Sequence, residues 1–322
     1  MKNLLLLLSI FVSVNSCAST DSSYYDPKTT SQLNIVCWGD SLTAGAGGKG
    51  TTYPNELQKI LNTRSLYNFK VYNAGVGGEN SATIASRAGG IPFMVKIVDQ
   101  IIPSSKVPVE ISFLNNNGMK ITPLHQGSGI PNHQFVGKLG DIEGKISLFR
   151  TLEQSKDTKY NDYYSFIRLK EGQPVITDQP LKFTLNFSQQ YRNDIYIIWI
   201  GQNDGKDFQN AILNTKAIID HMTSSNKKFI VMNRPSGNSS RDNEDKAWLK
   251  QFPNNFIPIR QYMIKHGLED AGIKPTLQDE IDINNGTVPS SLRSDQVHFN
   301  SQGYKVVANV VFHKMEKLGW TN

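Results

Sequence analysis

Apolar positions in this chain fall into short unbroken runs separated by stretches of helical spacing. Parallel strands covered on both faces, alternating with helices, produce that pattern. Leu33 to Val36 with Cys37 is the first run, and Trp38-Gly39-Asp40-Ser41-Leu42 follows it. Pro54 suits the first turn of a helix whose apolar face is Leu57, Ile60 and Leu61. A second strand, Phe69 to Tyr72, delivers the chain to the cluster Asn73-Ala74-Gly75-Val76-Gly77-Gly78-Glu79. Ile195 to Ile200 reads as a central strand and ends in Gly201-Gln202-Asn203-Asp204. Helical spacing at Phe208, Ile212, Thr215, Ile219 and Met222, a strand at Phe229 to Met232, a helix with Trp248 and Leu249, and an apolar stretch at Phe256 to Ile259 continue the alternation. A helix around Met263 and a last amphipathic helix through Tyr304, Val307, Val311 and Leu318 complete it, with Asn300 or Ser301 as the final cap. The expected class is α/β with a central parallel sheet.

Between Pro103 and Phe187 the period changes to two. Val107 to Phe113 alternates, Gly137 to Leu148 predicts strands turning at Gly140-Asp141 and at Gly144, and Phe166 to Pro180 turns at Glu171-Gly172. An inserted all-β subdomain is expected over 103–187. Residues 33–102 and 190–322 then form one discontinuous α/β domain, with the insert in strand-end loops where specificity elements tend to sit.

The first residues follow a different logic. Lys2 and the apolar run Leu4 to Val14 read as a signal peptide over 1–16, too short to span a bilayer. Val14-Asn15-Ser16-Cys17 resembles the lipobox of bacterial lipoproteins, which implies lipidation of Cys17 and export to the cell envelope, with 17–32 as a solvated tether. Only Cys37 then remains, in a buried strand, so neither a disulfide nor a cysteine metal site is expected. The formal charge of +6 is scattered along the chain, which fits anionic surfaces or glycans and gives no nucleic-acid footprint. Membrane contact is expected through the N-terminal lipid alone, and the sequence does not specify an oligomeric state.

Chemistry is expected just past strand ends, in the crevice of an open α/β sheet. Ser41 stands there and is the candidate nucleophile, which needs a base, an orienting residue and oxyanion donors. Asp295 and His298, three residues apart, can meet on one face of a helical turn, so that Asp295 holds Nδ1–H and Nε2 faces outward. Gly45-Ala46-Gly47-Gly48-Lys49-Gly50 formally satisfies a dinucleotide fingerprint. It starts late after the strand, however, and the second strand ends in Asn73 where an acid belongs, so these glycines read as a flexible rim loop and no cofactor is expected.

The order and wording of four segments resemble the SGNH, or GDSL-type, hydrolase family: Gly39-Asp40-Ser41-Leu42, Asn73 through Gly78, Gly201-Gln202-Asn203-Asp204, and Asp295-Gln296-Val297-His298. The resemblance implies a flavodoxin-like three-layer α/β/α fold. It also implies a mechanism with Ser41 as nucleophile, His298 as base and Asp295 as its orienter, and no metal is expected at the site. The oxyanion donors would be the N–H groups of Ser41 and Gly78 and the side-chain amide of Asn203. Asp40 and Asp204 are expected to brace loops. Glu79, Asn80, Ser81 and Arg87 lie beside the second segment, with Arg87 either contacting substrate or forming a structural ion pair.

The leading functional expectation is an acyl or acetyl esterase acting on a small acyl ester or an O-acetylated glycan, with Tyr160, Tyr163 and Tyr164 available either to stack on sugar rings or to pack within strands. A lipase or phospholipase, an O-acyltransferase, and a non-catalytic glycan-binding lipoprotein are the alternatives.

Overall fold

A computed structural model of the protein describes residues 31–115, 117–123, 134–152 and 160–321, with the backbone alone at 150–152 and 160–162. The expected signal peptide, Cys17, the tether up to residue 30 and the Tyr160 side chain lie outside the described residues. The chain runs β1 (Leu33–Gly39), α1 (Ser41–Ala44), α2 (Tyr53–Arg64), β2 (Phe69–Gly75) and α3 (Ser81–Arg87). An antiparallel region follows: β3 (Phe93–Ile97), β4 (Ile101–Ile102), β5 (Val109–Leu114), β6 (Lys120–Ile121), β7 (Gln134–Leu139), β8 (Ile142–Leu152), β9 (Tyr160–Arg168), β10 (Val175–Ile176) and β11 (Leu181–Leu185). The α/β pattern then resumes with α4 (Asn186–Gln190), β12 (Ile195–Trp199), α5 (Phe208–His221), β13 (Phe229–Met232), α6 (Asp242–Gln251) and β14 (Phe256–Ile257). Three helices complete it: α7 (Ile259–Asp270), α8 (Leu277–Asn284) and α9 (Ser301–Lys317).

Among the described residues, five parallel strands pair in the order β14-β13-β12-β1-β2. Counted along the parallel strands alone this is 2-1-3-4-5, the flavodoxin-like order, and its switch point lies between β1 and β12. The unbroken apolar runs have a direct cause in that sheet. Ile35 and Cys37 of β1 and Ile197 and Trp199 of β12 face a core completed by α2, α7 and α9. Val36, Trp38, Tyr196 and Ile198 face the opposite core, which α3, α5 and α6 cover. Strands buried on both faces have no polar side, so no alternation appears in their sequence. Cys37 is a free thiol in this interior, and burial pushes its pKa up to about 12, so it acts as a small hydrophobe.

The antiparallel region closes on itself. β3 pairs with both β11 and β5, completing a ring in the order β3-β11-β7-β8-β9-β5, while β6 extends from β5 and β4 pairs with β10 outside the ring. Every second residue points inward: Phe93 and Val95, Ile111 and Phe113, Phe135 and Leu139, Ile146 and Leu148, Tyr164 and Phe166, Phe183 and Leu185 fill the barrel as one apolar core. The ring begins at Phe93, ahead of the Pro103 expected from the change of texture, because β3 and β4 are too short to show period two by themselves. Gly140-Asp141 makes the expected turn, but Gly144 lies within β8. It faces Gly137 across the β7–β8 register, in a barrel crowded with rings. A Cβ at Gly144 would stand 2.1 Å from the Phe166 ring and 2.8 Å from the Ile167 carbonyl oxygen.

Overpacking of this kind costs about 1–3 kcal/mol. Gly144→Ala is therefore expected to lower the urea midpoint by that equivalent, and Phe166→Leu in the same chain to restore part of it. A wild-type midpoint for Gly144→Ala would refute the close packing.

Candidate active site

Ser41 opens α1 directly after β1, and its neighbour Asp40 caps that helix, Oδ1 accepting from the Leu42 N–H at 2.9 Å. As the first residue of the helix, Ser41 has no intrahelical acceptor for its own N–H. His298 approaches from the other end of the chain: the Ser41 Oγ to His298 Nε2 distance is 2.9 Å, across 257 positions of sequence. His298 Nδ1 lies 2.8 Å from Asp295 Oδ2. With Nδ1–H donated to the carboxylate, Nε2 is left as the acceptor of the serine hydroxyl.

The Asp295–His298 turn is not the helical turn expected from the spacing. It is a loop closed by a bridge between Arg293 and Phe299, and Asp295 Oδ1 accepts from the N–H groups of both Val297 and His298 at 2.7 Å. Burial alone would raise the Asp295 carboxyl, but these two N–H donors and the imidazole outweigh it and hold it below the usual carboxylate value. Asp295 is thus an anion beside the imidazole at neutral pH, which keeps the Nδ1–H tautomer favoured.

Two seams hold this loop in place. Gly47 packs against it so closely that a Cβ there would meet Ser294 Oγ at 2.0 Å and the Phe299 carbonyl oxygen at 2.7 Å. Tyr304 OH donates to the Ala46 carbonyl at 2.7 Å and Ser301 Oγ to the Gly48 carbonyl at 2.7 Å. The glycine run after Ser41 is therefore a close-packed joint between α1 and the start of α9, which corrects its reading as a flexible rim loop. The second seam was missed in the sequence. Asp279 of α8 accepts from Ser291 N and Oγ, and Asp282 accepts from Ser290 N and Oγ and from Arg293 Nη2, fixing the segment that leads into the loop. Thr276-x-x-Asp279, a capping box, was the signal available for it.

Gly78 follows β2 with a left-handed φ of +75°. Asn203 follows β12, and its Nδ2 donates to the Glu79 carbonyl at 2.9 Å, leaving its second amide hydrogen uncommitted to that contact. Asp204 accepts from Ser81 N at 3.0 Å and from Ser81 Oγ, which binds the third segment to the start of α3. Arg87 is buried: its Nε donates to Glu79 Oε2 at 2.6 Å and its Nη2 to the Gly39 carbonyl at 3.1 Å, so of its two expected roles it takes the ion pair. Ser41, Gly78, Asn203 and His298 thus all stand at the C-terminal ends of β1, β2 and β12 or on the loop facing them, at the topological switch point. No group of three or more His, Cys, Asp or Glu side chains is placed to hold a metal among the described residues. Of the tyrosines, Tyr163 is exposed while Tyr164 is in the barrel core with its hydroxyl donated to the Pro123 carbonyl at 2.6 Å, so Tyr164 cannot stack on a ligand.

Asp40 is the electrostatic outlier of the site. It is buried, and its Oδ2 has no partner among the described residues. Burial, reinforced by the nearby Asp204 and Glu79 charges, pushes its carboxyl up to about 7. The folded protein therefore holds this proton to higher pH than the unfolded chain does. The stability linked to it is fully present below the ordinary carboxylate value and is lost as pH rises through the folded one. Asp40→Asn keeps an acceptor for the Leu42 N–H and cannot ionise. The melting-temperature difference, variant minus wild type, is expected to climb between about pH 4 and about pH 7 and then level. A flat difference across that window would mean that Asp40 does not titrate there.

Residues 35–311 match the profile of the GDSL-like lipase/acylhydrolase family, a span reaching from β1 into α9 with the barrel inside it. No curated protein matches the sequence. Among solved structures, a gut microbial diltiazem-metabolizing enzyme aligns at 11% identity with a TM-score of 0.42, covering 90% of this chain and 49% of that one. This chain therefore spans about half of that structure's length, and the likeness is too low to bear on chemistry. The family match covers most of the sequence and includes all four segments gathered at the switch point. The chain belongs to the GDSL-like lipase/acylhydrolase (SGNH) family of hydrolases.

Proposed function

We propose that this protein is a serine carboxyl-ester hydrolase that removes a small acyl group, acetyl foremost, from a carbohydrate at the cell envelope. The observation that carries the esterase reading is the unbroken line Ser41 Oγ, His298 Nε2, His298 Nδ1, Asp295 Oδ2, with contacts of 2.9 and 2.8 Å. Ser41 Oγ attacks the ester carbonyl carbon as its proton passes to His298 Nε2. The C–O bond to the alcohol then breaks, and His298 returns that proton to the departing alkoxide. Water, deprotonated by His298, attacks the acyl-serine, and its collapse releases the acid and restores Ser41. In both halves the oxyanion is received by the N–H groups of Ser41 and Gly78 and the free amide hydrogen of Asn203, and Asp295 stabilises the imidazolium that forms between steps.

Carbohydrate as the alcohol is supported by two features. We read the apolar run Leu4 to Val14 and the lipobox-like Val14-Asn15-Ser16-Cys17 as signals for export and lipid anchoring. On the outer face of the barrel, Tyr163 is exposed directly across the β8–β9 register from exposed Phe149, and such rings offer flat faces to a sugar.

Ser41→Ala and His298→Ala are each expected to lower kcat on a short nitrophenyl ester by about 10⁵- to 10⁶-fold, and Asp295→Asn by about 10⁴-fold. Undiminished turnover by Ser41→Ala would end the mechanism. An acyl series from acetyl to long chains, alongside acetate release from acetylated polysaccharides and peptidoglycan, tests the substrate. Preference for long chains would replace the acetylesterase with a lipase.

A further inference from the structure

Ser41, Gly78 and Asn203 come from three separate strand ends, and oxyanion donors work only if they are held in place before charge develops. The Gly39 carbonyl, two residues ahead of Ser41, accepts from the Val76 N–H at 3.0 Å and from Arg87 Nη2 at 3.1 Å. Arg87 Nε reaches Glu79 Oε2 at 2.6 Å, and the guanidinium stands 5.5 Å from the Trp38 ring centroid. Glu79 follows Gly78 directly, and its own carbonyl receives the Asn203 amide at 2.9 Å. One side chain therefore touches the nucleophile's strand at two residues and the oxyanion loop at a third, and that third residue's backbone holds the last donor.

The pair is deeply buried, with side-chain exposures of 4% for Arg87 and 0% for Glu79. Taking two charges out of water is costly, so an ion pair of this kind is a poor source of stability and a better source of fixed register. The other clamp, Asp204 on Ser81, joins the third segment to the start of α3 and makes no hydrogen bond to β1 among the described residues. The Arg87 contacts add a side-chain tie from Ser41's strand to both donors, beside the backbone bond from the Val76 N–H to the Gly39 carbonyl. Lysine could not replace them in full, because the carboxylate and the carbonyl are met by different nitrogens of a planar fork.

We propose that Arg87, acting through Glu79, is the positioning residue of the oxyanion site, setting the spacing between Ser41, the Gly78 N–H and the Asn203 amide. It lies beneath the site and does not touch the ester. The proposal rests on Ser41 being the nucleophile of an ester hydrolase, as argued above.

The test compares Arg87→Met and Arg87→Lys with wild type in the full chain. With rates divided by the fraction of Ser41 titrated by a fluorophosphonate, Arg87→Met is expected to lose about 10- to 100-fold in kcat. Its KM should stay within about threefold, since the lost contacts act on the transition state. Arg87→Lys should recover part of the loss. Unchanged kcat per titrated serine, or a loss confined to KM, overturns the proposal. Amide hydrogen exchange over 75–80 and 201–205 gives a readout independent of turnover. It is expected to quicken in Arg87→Met, and unchanged exchange in a folded variant overturns the positioning role. Quickened exchange in a protein whose wild type hydrolyses no ester would retain the positioning role and reject the esterase. If loss of the Arg87 partner from the buried Glu79 carboxylate unfolds Arg87→Met, Glu79→Gln with Arg87→Met removes both charges and carries the same expectations.

Discussion

A single contact of 2.9 Å between Ser41 Oγ and His298 Nε2 constrains the whole molecule, because the two residues are 257 positions apart. To make it, the first strand has to be central and the last helix has to return to it. The sheet order places β1 between β12 and β2, so Ser41, Asn203 and Gly78 emerge at neighbouring strand ends. Helix α9 packs beside α2 on one face of the same sheet, and Tyr304, Ser301 and Gly47 join its start to the loop after Ser41. The apolar core brings the two segments together, and these polar and close-packed contacts fix the loop that presents His298 to Ser41.

Rim loops carry backbone N–H groups that no strand or helix can satisfy, and the solution adopted here is consistent. Asp40 takes Leu42 N, Asp204 takes Ser81 N, Asp279 takes Ser291 N, Asp282 takes Ser290 N, and Asp295 takes Val297 N and His298 N. A carboxylate accepts several bonds at once and so can anchor a loop from one residue. Where the donors outweigh burial the acid is strongly ionised, as at Asp279, drawn down to about 2 by Ser291 and Thr276 against the opposing effect of burial. Where burial wins, as at Asp40, the carboxyl is raised instead. In this arrangement Asp295 stands apart because its second oxygen meets an imidazole.

What could be read in the sequence divides along the same physical line. Strands buried on both faces announce themselves as unbroken apolar runs, and the barrel strands as alternation, because each reflects the local environment of consecutive residues. Ser41, Asn203 and His298 were legible for a related reason: short motifs encode the local turns that present them. Contacts between distant segments leave no such trace. Gly47 looked like a loose glycine because the residues it must clear, Ser294 and Phe299, lie far along the chain. Tyr163 and Tyr164 could not be told apart in the sequence because adjacent residues of β9 differ only in which side of the barrel they face. β3 escaped notice because its partners, β5 and β11, define it more than its own five residues do.

The barrel also bears on the site in a way that its place in the sequence conceals. Val76, two residues before Gly78, belongs to the barrel's apolar core, while its N–H is bonded to the Gly39 carbonyl. Phe187, at the barrel's exit, lies against Trp38 at 5.6 Å and Tyr191 at 4.8 Å and is shared by the barrel core and the sheet core. Cores packed to crystal-like density pass displacement on to their neighbours. A shift of the barrel against the sheet therefore moves Val76, and Val76 cannot move without pulling on Gly39 and the loop that carries Gly78. The connection from β2 to β12 thus has two tasks here: α3 covers the sheet as a crossover helix would, and the barrel packs the loop that carries Gly78 against the strand that leads to Ser41.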